Sequence, residues 1–132
     1  MIWFLRIFFT VVLGSMLGVT TWAGSQVSLF AIPRSVGGHP WFIATLFDAY
    51  WAFFTFYFWL AYKELTWLSR VLWFAAVVLL GNIAMASYCL IQLWRVPINA
   101  KIEQVLLRGN AVAWWIPASM LVVGGTLVWV AY

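Results

Sequence analysis

Charged residues are scarce in this sequence. Asp, Glu, Lys and Arg make up 8% of its 132 residues, whereas soluble globular domains contain roughly 25%. Hydrophobic residues make up 67%, and the mean hydropathy is +1.02. These values exclude a soluble fold and predict an integral membrane protein.

Residues suited to catalysis or metal binding are equally few. Cys89 is the only cysteine and His39 the only histidine, so neither an internal disulfide nor a multi-histidine metal site can form. The acidic residues are Asp48, Glu64 and Glu103, and we expect the last two at opposite membrane surfaces. No phosphate-binding loop, zinc-protease motif or nucleophile elbow is present. The sequence therefore predicts no catalytic residues, no metal site and no enzymatic activity.

The net charge of +4 arises without any cluster of Lys and Arg. Binding of nucleic acid needs such a cluster, so we expect no nucleic-acid partner. Isolated basic residues at membrane boundaries contact anionic headgroups instead. Membrane lipids are therefore the first partner that the sequence predicts.

Long apolar runs dominate the chain, and a helix that crosses a bilayer needs roughly 20 such residues. The stretch 98–108 is too short to span and carries its apolar residues on one side, which is typical of a helix lying on the membrane surface. The sequence predicts an all-α, multi-pass membrane bundle in one domain, residues 1–132, of a bacterial inner membrane or an organelle membrane. Its four predicted transmembrane helices are residues 2–22, 41–62, 71–93 and 111–131, with the short amphipathic surface helix between the third and the fourth.

The distribution of basic residues does not predict which side of the membrane the N-terminus lies on. With the N-terminus in the cytoplasm, four crossings put three basic residues on the cytoplasmic side and four on the other side. The positive-inside rule therefore favours neither orientation. The first group is Arg6, Lys63 and Arg70, and the second is Arg34, Arg95, Lys101 and Arg108.

Small residues recur every four positions in the first segment, at Thr10, Gly14 and Gly18. This spacing lets the backbone of another helix approach closely. We expect this face to pack on another helix, in this chain or in a second copy of it.

The second segment contains one carboxylate, Asp48. An ionisable group inside a membrane helix is costly, so it normally points into the protein and finds a partner there. An antiparallel third segment would bring further polar residues near Asp48. Helical spacing puts it on one face with five residues of the same helix, namely Trp51, Ala52, Thr55, Trp59 and Tyr62. The favoured interpretation is structural, either a hydrogen-bonded clasp between the second and third segments or an ion pair of Asp48 with Arg95. The alternative is a protonatable or ligand-binding site. The candidate ligand-binding residues are Asp48, Trp51, Thr55, Trp59, Asn82, Tyr88 and Arg95.

Three stretches of the chain resemble a known family. They are FDAYWAFFTFYFWLAYKE in the second segment, GNIAMASYCLIQLW in the third, and the proline-led stretch that contains IEQVLLR. Together they are similar to small bacterial and plant membrane proteins grouped as a domain of unknown function, number 1475, over residues 41–108. The resemblance implies no activity, because that family has no assigned function. The positions that it implies as part of the family pattern are Asp48, Tyr50, Tyr62-Lys63-Glu64 and Gly81-Asn82.

Two classes of function fit these observations. The first is a structural or accessory subunit, held in a larger membrane assembly or in a self-associated form by its many exposed aromatic residues. The second is a binding protein for a flat apolar molecule, such as a quinone, a carotenoid or a chlorophyll-type pigment, in an aromatic-lined pocket. The first class needs fewer assumptions, because aromatic residues packed against lipid explain the same composition.

Overall fold

A computed structural model describes residues 1–28, 31–109 and 112–130. Within these residues the chain is helical and has no strand, which confirms the predicted all-α class. The two end residues of the predicted fourth segment, 111 and 131, lie outside the described residues. The helices are α1 (Ile2–Gln26), α2 (Arg34–Gly37), α3 (Pro40–Lys63), α4 (Trp67–Leu80), α5 (Asn82–Trp94), α6 (Ile102–Leu107) and α7 (Trp115–Val130).

The third predicted segment, residues 71–93, is an antiparallel hairpin and not one continuous helix. Its two arms, α4 and α5, are joined by Gly81 alone, at φ 53° and ψ −125°. These are the angles of the first central residue of a type II′ turn, a position that glycine dominates. The rings of Trp73 and Tyr88 lie 5.0 Å apart, although a continuous helix would separate these positions by about 22 Å. The chain therefore reverses direction at Gly81.

The first helix packs mainly against the second arm of this hairpin, and the two run antiparallel. The Arg6 guanidinium donates hydrogen bonds to the carbonyl oxygens of Leu93, at 2.9 Å, and Val96, at 2.8 Å. It also lies 4.5 Å from the ring centroid of Trp94. The beginning of α1 is thereby fixed to the end of α5.

The main core lies between α3 and the hairpin. Helix α7 joins it from the side of α4, and the two run parallel, since Ser69 donates to the carbonyl of Val112 at 3.3 Å near their beginnings. Further along, a Cβ added to Gly124 would lie 2.7 Å from Leu80. The buried residues of this core are Leu60, Trp73, Ala76, Val77, Ala84, Tyr88 and Val112.

These contacts collect many helix ends at one end of the bundle, which we call the α6 end. It comprises the beginnings of α1, α4 and α7, the ends of α3 and α5, and the whole of α6. The opposite end, which we call the α2 end, comprises α2, the end of α1 and the beginning of α3. Because α4 begins and α5 ends at the α6 end, the hairpin extends into the bundle from the α6 end, and its turn at Gly81 lies inside the bundle.

The surface helix predicted for residues 98–108 is shorter in the structure, where α6 begins at Ile102. A turn follows Pro97 and leaves residues 98–101 outside any helix. Val105 is buried and Ile102 is half-buried, both in a small cluster with α1 and α5. Gln104 is exposed on the other side of the helix. The one-sided apolar pattern therefore marks the contact of α6 with the bundle.

Within the described ranges, two helices, α1 and α3, are long and apolar enough to cross a membrane by length and composition. Few of their residues are buried. Only Ile2 and Arg6 are buried in α1, and only Leu60 and Lys63 in α3. Every residue from 17 to 26 of α1 is exposed, including those around Gly18. A Cβ added to Gly14 or Gly18 would meet nothing within 4 Å, so no other part of the described chain packs on this motif.

Replacing Gly81 tests the hairpin. A Cβ there would lie 2.8 Å from Phe53 Cζ, and its positive φ is unfavourable for any other residue. We expect Gly81→Ala to lower the free energy of unfolding by about 2–3 kcal/mol. Gly14→Ala is the matched control, because its Cβ would enter open space, and we expect it to be neutral or to stabilise by up to about 1 kcal/mol. Thermal unfolding in detergent, followed by circular dichroism, gives both values, and equal stability of the two variants would contradict the turn.

Candidate functional site

A buried polar cluster lies at the α6 end, directly after α3. Glu64 is 0% exposed, and its carboxylate accepts hydrogen bonds from three different parts of the chain. Ser69 Oγ donates to Oε2 at 2.7 Å, Tyr88 Oη donates to Oε1 at 3.0 Å, and the Val112 backbone N–H donates to Oε2 at 3.1 Å. These donors belong to α4, to α5 and to the stretch before α7. Glu64 therefore connects the hairpin and α7 to the end of α3.

The neighbouring residue, Lys63, is also 0% exposed. Its Nζ donates a hydrogen bond to the carbonyl oxygen of Val105 in α6 and lies 5.0 Å from the ring centroid of Trp59. The Trp59 indole N–H donates to the carbonyl of Leu106 at 3.1 Å. Two side chains of α3 thus hold α6 against the bundle through its backbone.

The backbone around Glu64 is held as well. Arg70 Nε donates to the carbonyl oxygen of Glu64 at 2.9 Å, and Tyr57 Oη donates to the carbonyl of Arg70 at 3.1 Å. These bonds fix the tight connection between α3 and α4. A buried carboxylate and a buried ammonium are tolerated only when they are hydrogen-bonded, and this cluster meets that requirement.

An apolar groove of about 470 Å³ lies beside this polar cluster. Helices α1 and α3 form its walls, α5 forms its floor, and α6 closes it at the α6 end. Its lining contains no charged side chain, and its polar groups are the thiol of Cys89 and the indole N–H of Trp59, which is already bonded to α6. The lining residues are Met1, Leu5, Phe9, Phe56, Trp59, Cys89, Leu93, Ile102, Val105 and Leu106.

Aromatic rings join the groove to the core. The Trp59 ring meets the rings of Phe56 and Tyr88 edge to face, with centroids 5.3 Å and 5.8 Å apart. Tyr88 in turn contacts Trp73. This arrangement holds the Trp59 ring in place at the groove, because such edge-to-face pairs favour one geometry.

The structure brings together two of the seven candidate site residues, Trp59 and Tyr88. Asp48, Trp51 and Thr55 share the face that helical spacing predicts, and all three are exposed on the outside of α3. Trp59, predicted on the same face, is half-buried because α6 covers that end of the helix. The structural clasp that we expected at Asp48, between the second and third segments, is therefore not formed. The two remaining candidates, Asn82 and Arg95, are also exposed.

The hairpin explains why these residues are apart. In a continuous third helix, Arg95 would follow at the same membrane side as the beginning of α3, near Asp48. Because the chain reverses at Gly81, Arg95 lies at the α6 end. Asp48 lies about 22 Å from that end, since it is 15 residues before Lys63 in α3 and a helix rises about 1.5 Å per residue. The same reversal places Glu64 and Glu103 at one end of the bundle, and the expectation that they lie at opposite surfaces is wrong.

Sequence reasoning did not select Lys63, Glu64 or Ser69 as a site. It interpreted Lys63 as a residue at the membrane boundary, where lysine is common. One signal could have found the cluster, because the resemblance described above implies that Tyr62-Lys63-Glu64 is part of the family pattern. Among the described residues, no group of three or more His, Cys, Asp or Glu side chains could hold a metal ion.

Comparison with known proteins gives one match. The family model DUF1475, described as a protein of unknown function, matches residues 1–113. The chain therefore belongs to the DUF1475 family, as the sequence resemblance predicted, and the match extends that resemblance to the whole of α1. No curated protein and no solved structure matches the chain.

Removing the Glu64 carboxylate tests the polar cluster. Glu64→Ala leaves the Tyr88 hydroxyl and the Val112 N–H without their acceptor, while Ser69 keeps the carbonyl of Val112. We expect this change to lower the free energy of unfolding by about 2–5 kcal/mol, since each buried unsatisfied donor costs about 1–3 kcal/mol. Glu64→Gln retains one carbonyl acceptor and should fall between this variant and the parent. The control is Glu103→Ala, which removes an exposed carboxylate and should change the stability by less than about 0.5 kcal/mol. Equal melting temperatures of Glu64→Ala and Glu103→Ala would show that the cluster is not structural.

Proposed function

We propose that this chain is a multi-pass membrane protein that acts by binding an apolar molecule in the groove between α1 and α3. The groove carries this proposal. Its volume of about 470 Å³ lies within the range of roughly 300–1,000 Å³ that is typical of ligand pockets. Three helices and α6 surround it, and the hydrogen bonds of Lys63 and Trp59 to α6 hold its closed end.

The exposed surface of the two long helices supports a lipid environment. Their exposed side chains are large and apolar along most of their length, for example Phe4, Val11, Phe47 and Phe58. Soluble monomers rarely expose contiguous apolar patches of more than a few hundred Å². In a bilayer, the same surface contacts acyl chains.

The proposed arrangement has three crossings and one re-entrant hairpin. At 1.5 Å per residue, α1 and α3 are about 36 Å long, and the arms of the hairpin are about 20 Å long. The hydrocarbon core of a bilayer is about 30 Å thick. Helices α1 and α3 then cross the membrane, while the hairpin fills the space beside them from the α6 end. Helix α7, with 16 residues, is about 24 Å long, and we place it as a shorter third crossing. The predicted four spanning helices become three.

The chemistry of the lining selects among the ligands considered above. A chlorophyll-type pigment needs a ligand for its metal, and His39 lies at the α2 end, away from the groove. A quinone head needs strong hydrogen-bond donors, but the Trp59 indole N–H is already bonded to Leu106 and the Cys89 thiol is a weak donor. A carotenoid, or the isoprenoid tail of a quinone, needs only an apolar and aromatic surface. We therefore favour a long apolar chain as the ligand.

The polar cluster favours a protein that binds its ligand without catalysing a reaction. Lys63 and Glu64 are completely enclosed, and the hydrogen bonds of their side chains go to groups within the fold. Side chains that act as general acids or bases must reach the proton that they transfer. In this chain they support the groove.

The bound molecule can be measured directly. We expect protein purified in mild detergent to retain an apolar molecule, at about one per chain, detectable by absorption and by mass spectrometry of an organic extract. Leu5→Trp places a large ring in the groove and should reduce this amount. Leu17→Trp adds the same ring to an exposed position of α1 and should not. Parent protein that carries no such molecule, and takes up neither added carotenoid nor added ubiquinone, would contradict the proposal.

A second function, as an accessory subunit of a larger membrane assembly or of a self-associated form, is favoured by the outer face of α3. Thr45, Asp48, Ala52 and Thr55 are exposed on one stripe of this helix, at the alternating spacing of three and four residues that is typical of helix pairs. A carboxylate that faces lipid about a third of the way along the helix is costly. A partner helix that covers this stripe removes that cost.

Replacing Asp48 tests this second function without changing the groove of the first. Because it is exposed in the single chain, we expect Asp48→Leu to change the thermal stability of the isolated protein by less than about 0.5 kcal/mol. The native mass of a gently solubilised assembly should fall, since the partner loses its polar contact. The control is Phe47→Leu, one position away and off the stripe. An unchanged native mass in Asp48→Leu would remove the support for a partner on this face.

A further inference from the structure

Six of the seven Lys and Arg residues of the chain lie at the α6 end. The contacts of Arg6, Lys63 and Arg70 place them there, as described above. The other three follow α5 or flank α6 in the chain, namely Arg95, Lys101 and Arg108. Arg34, in α2, is the seventh and lies at the opposite end.

The hairpin produces this asymmetry. Four spanning helices would divide the same residues three to four between the two membrane surfaces. Because the chain turns back at Gly81, Arg95 and every basic residue after it return to the side of Lys63 and Arg70. The division becomes six to one, and the positive-inside rule, which favoured neither orientation of four spanning helices, now favours one.

The exposed charge at the α6 end is also positive. Arg95, Lys101 and Arg108 are exposed and Arg70 is half-buried, whereas Arg6 and Lys63 are used inside the bundle. Of the acidic residues, Glu103 is exposed at this end and Glu64 is enclosed. The surface that meets the headgroups therefore carries a net positive charge, contributed by the two sides of α6 and the end of α5.

We propose that the α6 end lies in the cytoplasmic leaflet and binds anionic phospholipid headgroups, with the beginning of α1 on the cytoplasmic side and α2 on the other side. Anionic lipids are concentrated in that leaflet, and each Lys or Arg near its surface strengthens binding. This inference rests on the membrane placement proposed above and is independent of the ligand in the groove.

Cysteine accessibility in bacterial spheroplasts tests the orientation. In a Cys89→Ala background, single cysteines are placed at three exposed positions, Ser35, Thr66 and Gln104, and are treated with a membrane-impermeant maleimide. We expect Ser35→Cys to react in intact spheroplasts, and Thr66→Cys and Gln104→Cys to react only after permeabilisation. Thr66 precedes the hairpin and Gln104 follows it, so reaction of these two from opposite sides would overturn the hairpin topology. Reaction of both in intact spheroplasts would overturn the orientation.

Lipid binding is tested separately, on the purified full-length chain. We expect delipidated protein to bind phosphatidylglycerol in preference to phosphatidylcholine. The double variant Lys101→Gln/Arg108→Gln should bind it roughly 30-fold more weakly, because each such residue contributes about a fivefold factor. Arg34→Gln, at the α2 end, is the control and should bind like the parent. Equal phosphatidylglycerol binding by the double variant and the control would overturn the headgroup contact.

Discussion

The buried carboxylate of Glu64 is the constraint on which the fold depends. A carboxylate that is removed from water needs several hydrogen-bond donors, and here they come from α4, from α5 and from the stretch before α7. All three must therefore reach the end of α3. Tyr88 is more than twenty residues further along the chain than Glu64. It must therefore return to the short connection between α3 and α4, where Glu64 lies. A continuous third helix would carry Tyr88 about 30 Å away, so the carboxylate and the hairpin depend on each other.

The sequence predicts the helices better than it predicts their arrangement. The ends of α1 and α3 fall within a few residues of the predicted segments, because each is a long apolar run that ends at turn-forming residues. Nothing in the period of residues 71–93 marks the reversal, since a glycine within an apolar helix is tolerated in membranes. What distinguishes Gly81 is its positive φ and the Phe53 ring, which occupies the space that a side chain at this position would need. Such information lies in the packing and not in the local pattern.

Asp48 shows a second limit of sequence reasoning, and a general one for membrane proteins. Helical spacing correctly groups it with Trp51 and Thr55 on one face. Which face of α3 points inward is a different question, because lipid is as apolar as a protein core and hydrophobicity does not distinguish them. We predicted that the face with Asp48 points inward, because a carboxylate normally avoids lipid. In the structure the face with Leu60 and Phe56 packs against the hairpin, and Asp48 is exposed.

The short length of the hairpin explains why parts of α1 and α3 are exposed. Its arms rise about 20 Å from the α6 end, while α1 and α3 continue for roughly another 15 Å. The exposed residues 17–26 of α1 and the exposed Asp48 lie at or beyond the level where the hairpin turns back. Two long helices that are held apart by a shorter element leave a groove beside that element and open faces above it. Gly18, the last small residue of the motif on α1, and the carboxylate of Asp48 on α3 lie at that level, and both are features that helix partners use in membranes. The hairpin thus separates the two proposed roles along one axis, with the proposed ligand groove near the α6 end and the proposed contact with another helix nearer the α2 end.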